Sequence, residues 1–101
     1  MKVSVKNNKD NLYVYLQGEI DHSVAGELRV KIDEYLAKVK VKNVILNMEQ
    51  LTFMDSTGIG LLIGRYKTIK RFDKCAYITG ANVAAEKVIQ LAGLYKIMPK
   101  Y

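Results

Sequence analysis

The spacing of apolar residues changes its period along this chain, and that change limits the folds open to it. Near the start the period is two. Val3 and Val5 are apolar around Ser4, and Leu12, Val14 and Leu16 alternate with Tyr13 and Tyr15. Two such runs around the polar stretch 7–11 predict an antiparallel hairpin that ends at Gly18. The period then becomes helical. Val24, Leu28, Ile32, Tyr35, Leu36 and Val39 form one stripe, with Asp21, His22 and Ser23 ahead of it as N-cap candidates. Glu27, Lys31, Glu34 and Lys38 alternate in sign along the wet face, a pattern that supports a helix weakly.

The remaining elements alternate. Val44 to Met48 is an unbroken apolar run of strand length, suited to a central strand buried on both faces. Gln50 to Met54 reads as a connector. Asp55, Ser56 and Thr57 offer three consecutive caps to a second helix, which carries Ile59, Leu62, Ile63, Tyr66 and Ile69 on one face. Arg65, Lys67, Lys70 and Arg71 read as cations at the helix's end, where they suit the macrodipole. Cys75 to Ile78 reads as a short buried strand and 79–82 as a turn and cap. Val83 to Ala92 reads as a third helix with Ala84, Ala85, Val88, Leu91 and Ala92 inward. Gly93 fits its C′ position, and Tyr95 to Met98 reads as a last strand before Pro99. The order is β-β-α-β-α-β-α-β, an α/β single domain over residues 1–101. Its mixed sheet has parallel pairing after the hairpin and three helices packed on it.

A chain of 101 residues has room for one core and not two. The single Cys75 supplies neither a disulfide framework nor a multi-cysteine metal cluster. The first residues lack an apolar signal region, and the longest near-apolar run, Ile59 to Gly64, falls far short of the ~18 residues a membrane span needs. A cytoplasmic protein with no membrane attachment is expected.

The same residues argue against catalysis. His22 is the one histidine and would have to serve any Ser-His-Asp or Cys-His arrangement, yet it sits among capping residues at a helix start. Cys75, inside an apolar strand, reads as a buried inert thiol. Gly58, Gly60 and Gly64 follow G-x-G-x-x-x-G, not the dinucleotide fingerprint, and no Walker Lys-Ser/Thr follows. They read as permitting a tight helix entry and close helix packing. The chain carries 16 Lys and Arg against 10 Asp and Glu, a net +6, which raises the question of nucleic acid. The basic residues are spread over both termini, helix faces and loops, so no footprint forms and no direct nucleic-acid partner is expected. No enzyme activity and no cofactor are expected.

What stands out is Asp55-Ser56-Thr57-Gly58-Ile59-Gly60. One helix needs one cap, so three polar residues in a row leave spare hydroxyls at an accessible helix N-terminus. A phosphate placed there gains from the free N–H groups and the helix dipole.

Two segments carry a family resemblance. Gly18-Glu19-Ile20-Asp21-His22 is similar to G-E-[LI]-D after a second strand. Phe53-Met54-Asp55-Ser56-Thr57-Gly58-Ile59-Gly60 is similar to F-[ML]-D-S-[ST]-G-[LI]-G. With Leu61 to Lys67 and Leu91-Ala92-Gly93-Leu94, the whole chain resembles the STAS-domain anti-anti-sigma factors. It is most similar to the sporulation-stage II and general-stress antagonists of Gram-positive bacteria. Many of these carry a glycine pair after the second helix, where this chain has Arg71-Phe72-Asp73-Lys74.

The resemblance implies a STAS-like fold and a protein switch without catalysis. In it, the unphosphorylated form binds an anti-sigma factor that is also a serine kinase, and so releases the sigma factor. Phosphorylation maps to Ser56, and a PP2C-type phosphatase reverses it. Asp21, His22, Asp55, Ser56, Thr57, Gly58 and Gly60 are the implied partner-binding residues. A STAS scaffold or small-molecule-binding module without phosphorylation is the alternative.

Overall fold

The computed structural model describes residues 2–101. Strands β1 (Lys2–Asn8) and β2 (Asn11–Ile20) form the expected hairpin, with Val5 opposite Val14. The turn is tighter than the polar stretch suggested. Only Lys9 and Asp10 lie between the strands, and Lys9 takes a left-handed φ of 56°.

Strand β3 (Asn43–Met54) runs parallel to β2, and β4 (Cys75–Thr79) runs parallel to β3, giving the order β1-β2-β3-β4. The segment 50–54 is not a connector. It continues β3, because β2 itself runs on through Gly18 and Glu19 and offers hydrogen-bonding partners as far as Ile20 opposite Met54. Irregular register near Gln17 and Gly18 accommodates the mismatch.

Helices α1 (His22–Lys38) and α2 (Ser56–Arg71) are the two crossovers. Both step the chain in the same direction across the sheet. Right-handed crossovers that step one way lie on one face, and the core confirms it. Leu12, Val14, Leu16, Val44, Leu46, Met48, Ala76 and Ile78 meet Leu28, Ile32, Leu36, Leu61, Leu62 and Ile69 in a single cluster.

Among the described residues, no helix covers the opposite face of the sheet. Ile45 is nevertheless fully buried while lying outside that cluster. It is flanked in register by Tyr13 and Tyr77, and Tyr101 packs edge-on against both rings at 6.2 and 5.6 Å. The tyrosines shield it. Strand β3 is therefore buried on both sides at its centre, as its unbroken apolar run predicts.

Several expected burials differ. Cys75 begins β4 and is exposed, because Ala76 and Ile78 take the helix-facing positions and Cys75 alternates away from them. Helix α3 (Val83–Leu91) buries Ala85 and Ile89, while Ala84 and Ala92 are exposed and Leu91 is 91% exposed. Leu91 lies two residues beyond Ile89, which puts it on the far side of a helical turn. The expected last strand over 95–98 is instead a short 3-10 turn, Leu94–Lys96, following Gly93 at φ 69°. Met98 plugs the core from it, and only a single parallel bridge, Ile78 to Lys100, extends the sheet.

Arg65 is not a helix-end cation. It lies mid-helix on the buried face of α2 with Leu61, Thr68 and Ile69, whereas Ile59, Ile63 and Tyr66 are only half-buried.

Candidate partner-docking site

Parallel strands that end together deliver their following helices side by side. Ile20 pairs with Met54, so Asp21 and Asp55, the next residues, stand at one edge of the sheet. Each is an N-cap. The Asp21 carboxylate accepts from Ser23 N at 3.0 Å and from Ser23 Oγ at 2.6 Å, and the Ser23 hydroxyl bond above all holds its pKa below the ordinary carboxylate value. The Asp55 carboxylate accepts from Thr57 N at 2.9 Å. Helix α3 joins them, since Asn82 caps it through Ala85 N at 2.8 Å while its Nδ2 donates to the Leu51 carbonyl of β3. The carboxyl edge of the sheet thus carries the starts of three helices.

Of the three polar residues in the motif, Asp55 is the cap. That leaves Ser56 as the first residue of α2, exposed. Thr57 is half-buried, facing the cleft between α1 and α2 together with Gly60. His22 is exposed at the start of α1. Asp21, His22, Asp55 and Ser56 therefore share one edge, with Thr57 and Gly60 turned toward the α1–α2 cleft beside them.

The glycines divide by role. A Cβ on Gly58 would lie 2.1 Å from Met54 Cγ, so this position needs glycine for close approach. A Cβ on Gly60 or Gly64 would meet nothing within 4 Å. These two do not serve close helix packing, as the sequence suggested, but leave the cleft open.

The cleft itself holds what the sequence reading missed. Arg65 Nε lies 2.8 Å from Asp33 Oδ1 of α1. Among the described residues, no group of three His, Cys, Asp or Glu side chains is placed to hold a metal ion, and no helix is long and apolar enough to cross a membrane.

The sequence profile of the STAS domain matches residues 2–101. The anti-sigma F factor antagonist of Paenibacillus polymyxa is 31% identical over 101 residues, spanning 100% of this chain and 86% of that protein. The anti-sigma-B factor antagonist of Staphylococcus aureus (strain COL) is 31% identical over 94 residues, 89% of this chain and 83% of that one. The anti-sigma factor antagonist SpoIIAA in its unphosphorylated form superposes with a TM-score of 0.81 at 28% identity, covering 99% of this chain and 88% of that one. The phosphorylated form of SpoIIAA, a Bacillus cell fate determinant, superposes at 0.73 and 28% identity, covering 99% and 91%. The element order, the paired helix starts and these likenesses place the chain in the STAS domain family.

Proposed function

We propose that this chain is an anti-sigma factor antagonist whose unphosphorylated form binds an anti-sigma factor serine kinase and frees the sigma factor. Phosphorylation of Ser56 ends the binding, and a PP2C-type phosphatase restores it. The chain works in the cytoplasm as a binding module and catalyses nothing itself.

One observation carries the reading. Asp55 takes the capping role through Thr57 N, so the Ser56 hydroxyl is exposed and free for modification at a helix start. A phosphate there sits at the positive end of the α2 dipole on an exposed position, so the fold tolerates it. It also adds about −1.5 to −2 charge next to Asp55, on the edge that Asp21 shares. A partner that buries this edge must then desolvate or match that charge. Losing one buried hydrogen-bonded contact costs roughly 2–5 kcal/mol, enough to end binding without refolding the domain. SpoIIAA superposes on this chain in both its forms, which fits a local change.

Incubation with the candidate kinase and ATP, followed by intact-mass measurement, tests the reading. A single phosphate mapped to Ser56 is expected. A phosphate on Thr57 alone, or none, overturns it.

A further inference from the structure

The chain has 16 Lys and Arg, of which only Arg29, Arg65 and Arg71 are arginines. All three line one groove between α1 and α2, Arg29 from α1 and Arg65 and Arg71 from α2. Lys67 adds a fourth cation, against the carboxylates of Asp33 and Glu34. The groove encloses about 720 Å³ and continues into the cleft beside Thr57, with which it shares Arg29, Gly64 and Arg65. Its open course follows from small residues: a Cβ on Gly26, Gly60 or Gly64 meets nothing within 4 Å.

The central arginine is unusual. Arg65 is 5% exposed, and burial lowers its affinity for its proton while Asp33 only partly restores it. Its Nε pairs with Asp33 Oδ1 at 2.8 Å, an ion pair at the floor of the groove. That pair engages Nε, and a guanidinium carries further donors on its two Nη atoms. Arg71 is held ready at one end. Its Nη2 donates to Thr68 Oγ1 at 3.1 Å, and Thr68 donates in turn to the Gly64 carbonyl.

We propose that this groove docks an extended acidic segment of a protein partner, with Arg65 and Arg71 gripping its carboxylates and Arg29 closing the opposite wall. The proposal rests on reading the chain as a protein-binding regulator. Guanidinium groups are suited to this because they take carboxylates in a two-pronged fashion, as the surface lysines do not. From Thr57 to Arg71 the helix rises about 21 Å, the length of about six extended residues. Neither lining contains an aromatic side chain on which a base would stack, which disfavours nucleic acid.

The test is a titration of the unphosphorylated chain with a capped hexaglutamate peptide, followed by amide chemical shifts. Hexaglutamine, inorganic phosphate and oligouridine serve as comparison probes. Hexaglutamate is expected to move Arg29, Gly64, Arg65 and Arg71, with an affinity that falls as salt rises, and hexaglutamine to move none. Arg29→Gln and Arg71→Gln, both at exposed positions, are expected to weaken the peptide by about tenfold each. Gly64→Ala keeps the helix and narrows the groove, and is expected to weaken it as well. Shifts spread over the lysine surface, indifference to these variants, or stronger shifts at the same residues with phosphate or oligouridine overturn the proposal. Kinase-dependent phosphorylation is read separately, so failure of the peptide to bind leaves the switch at Ser56 standing, and the reverse.

Discussion

Gly58 and Met54 touch so closely that a single added carbon has no place. A Cβ on Gly58 would meet Met54 Cγ at 2.1 Å and Sδ at 2.8 Å, with Ile20 Cγ2 at 3.4 Å behind them. The last residue of β3 is thereby fixed beneath the first turn of α2. Gly58→Ala is expected to destabilise the domain by about 1–3 kcal/mol, the cost of overpacking. Gly60→Ala, two residues on in open space, is expected to stabilise it by about 0.5–1 kcal/mol, because glycine is a poor helix former. Urea unfolding of the two variants gives opposite signs if the contact is as described.

The division of labour between Asp55 and Ser56 separates stability from switching. Asp55→Ala removes the cap on α2 and is expected to cost about 1 kcal/mol. Ser56→Ala is expected to stay within about 0.5 kcal/mol of the parent, since the side chain is exposed and caps nothing. In a calorimetric titration with the cognate kinase, Ser56→Ala should bind like the parent and stay unmodified, whereas Ser56→Asp should bind far more weakly. Full affinity of Ser56→Asp or of the phosphorylated chain contradicts the mechanism.

Asp73 holds a left-handed φ of 58° just after α2, the conformation that glycine adopts most cheaply. This is where the family resemblance anticipates a glycine pair. Asp73→Gly is expected to raise stability by about 0.5 kcal/mol, visible as a higher urea midpoint with an unchanged slope.

Glu86 ties the C-terminal segment to α3. Its carboxylate accepts from Lys100 Nζ at 2.6 Å and from Tyr95 Oη at 2.7 Å. Lys100, then Tyr95, holds it below its ordinary value. A carboxylate depressed in the fold contributes stability above its unfolded value and loses it as pH falls through the folded one. Acidification below the ordinary carboxylate range is therefore expected to loosen residues 95–101 first. Burial, with Glu86 beside it, raises Tyr95, so its hydroxyl keeps donating well into alkaline solution. Amide exchange along 95–101 as a function of pH checks this, and Glu86→Gln should remove the acid-side dependence.

The hairpin, α1 and the capping aspartates were legible because their signals are local. A period of two, a helical stripe and an acidic residue before it suffice. The C-terminal half of β3 was not, since Gln50 and Thr52 look polar and the pairing that makes this segment a strand comes from Gln17 to Ile20, more than thirty residues away. For α3 the apolar residues point to a helix and to Ala85 as inward, but Leu91 is as apolar as Ile89 and only the packing shows that Ile89 is the buried one. Arg65 shows the limit most plainly. The spacing of Gly58, Leu61, Arg65 and Thr68 already put it on the inner stripe of α2. Its charge argued otherwise, and its partner Asp33 lies on a different helix. The motif itself could be read directly. The side-by-side helix starts that give it neighbours needed the register of Ile20 against Met54.

Strand β3 lies between the helical core and the tyrosine-covered Ile45, and its far end leads straight through Met54 and Asp55 to Ser56. The residue proposed to carry the phosphate thus follows directly on a strand covered on both faces. A mark written there lies at the exposed edge, outside both layers that cover the strand. It stays where it is added, and a partner reads it only by touching that edge.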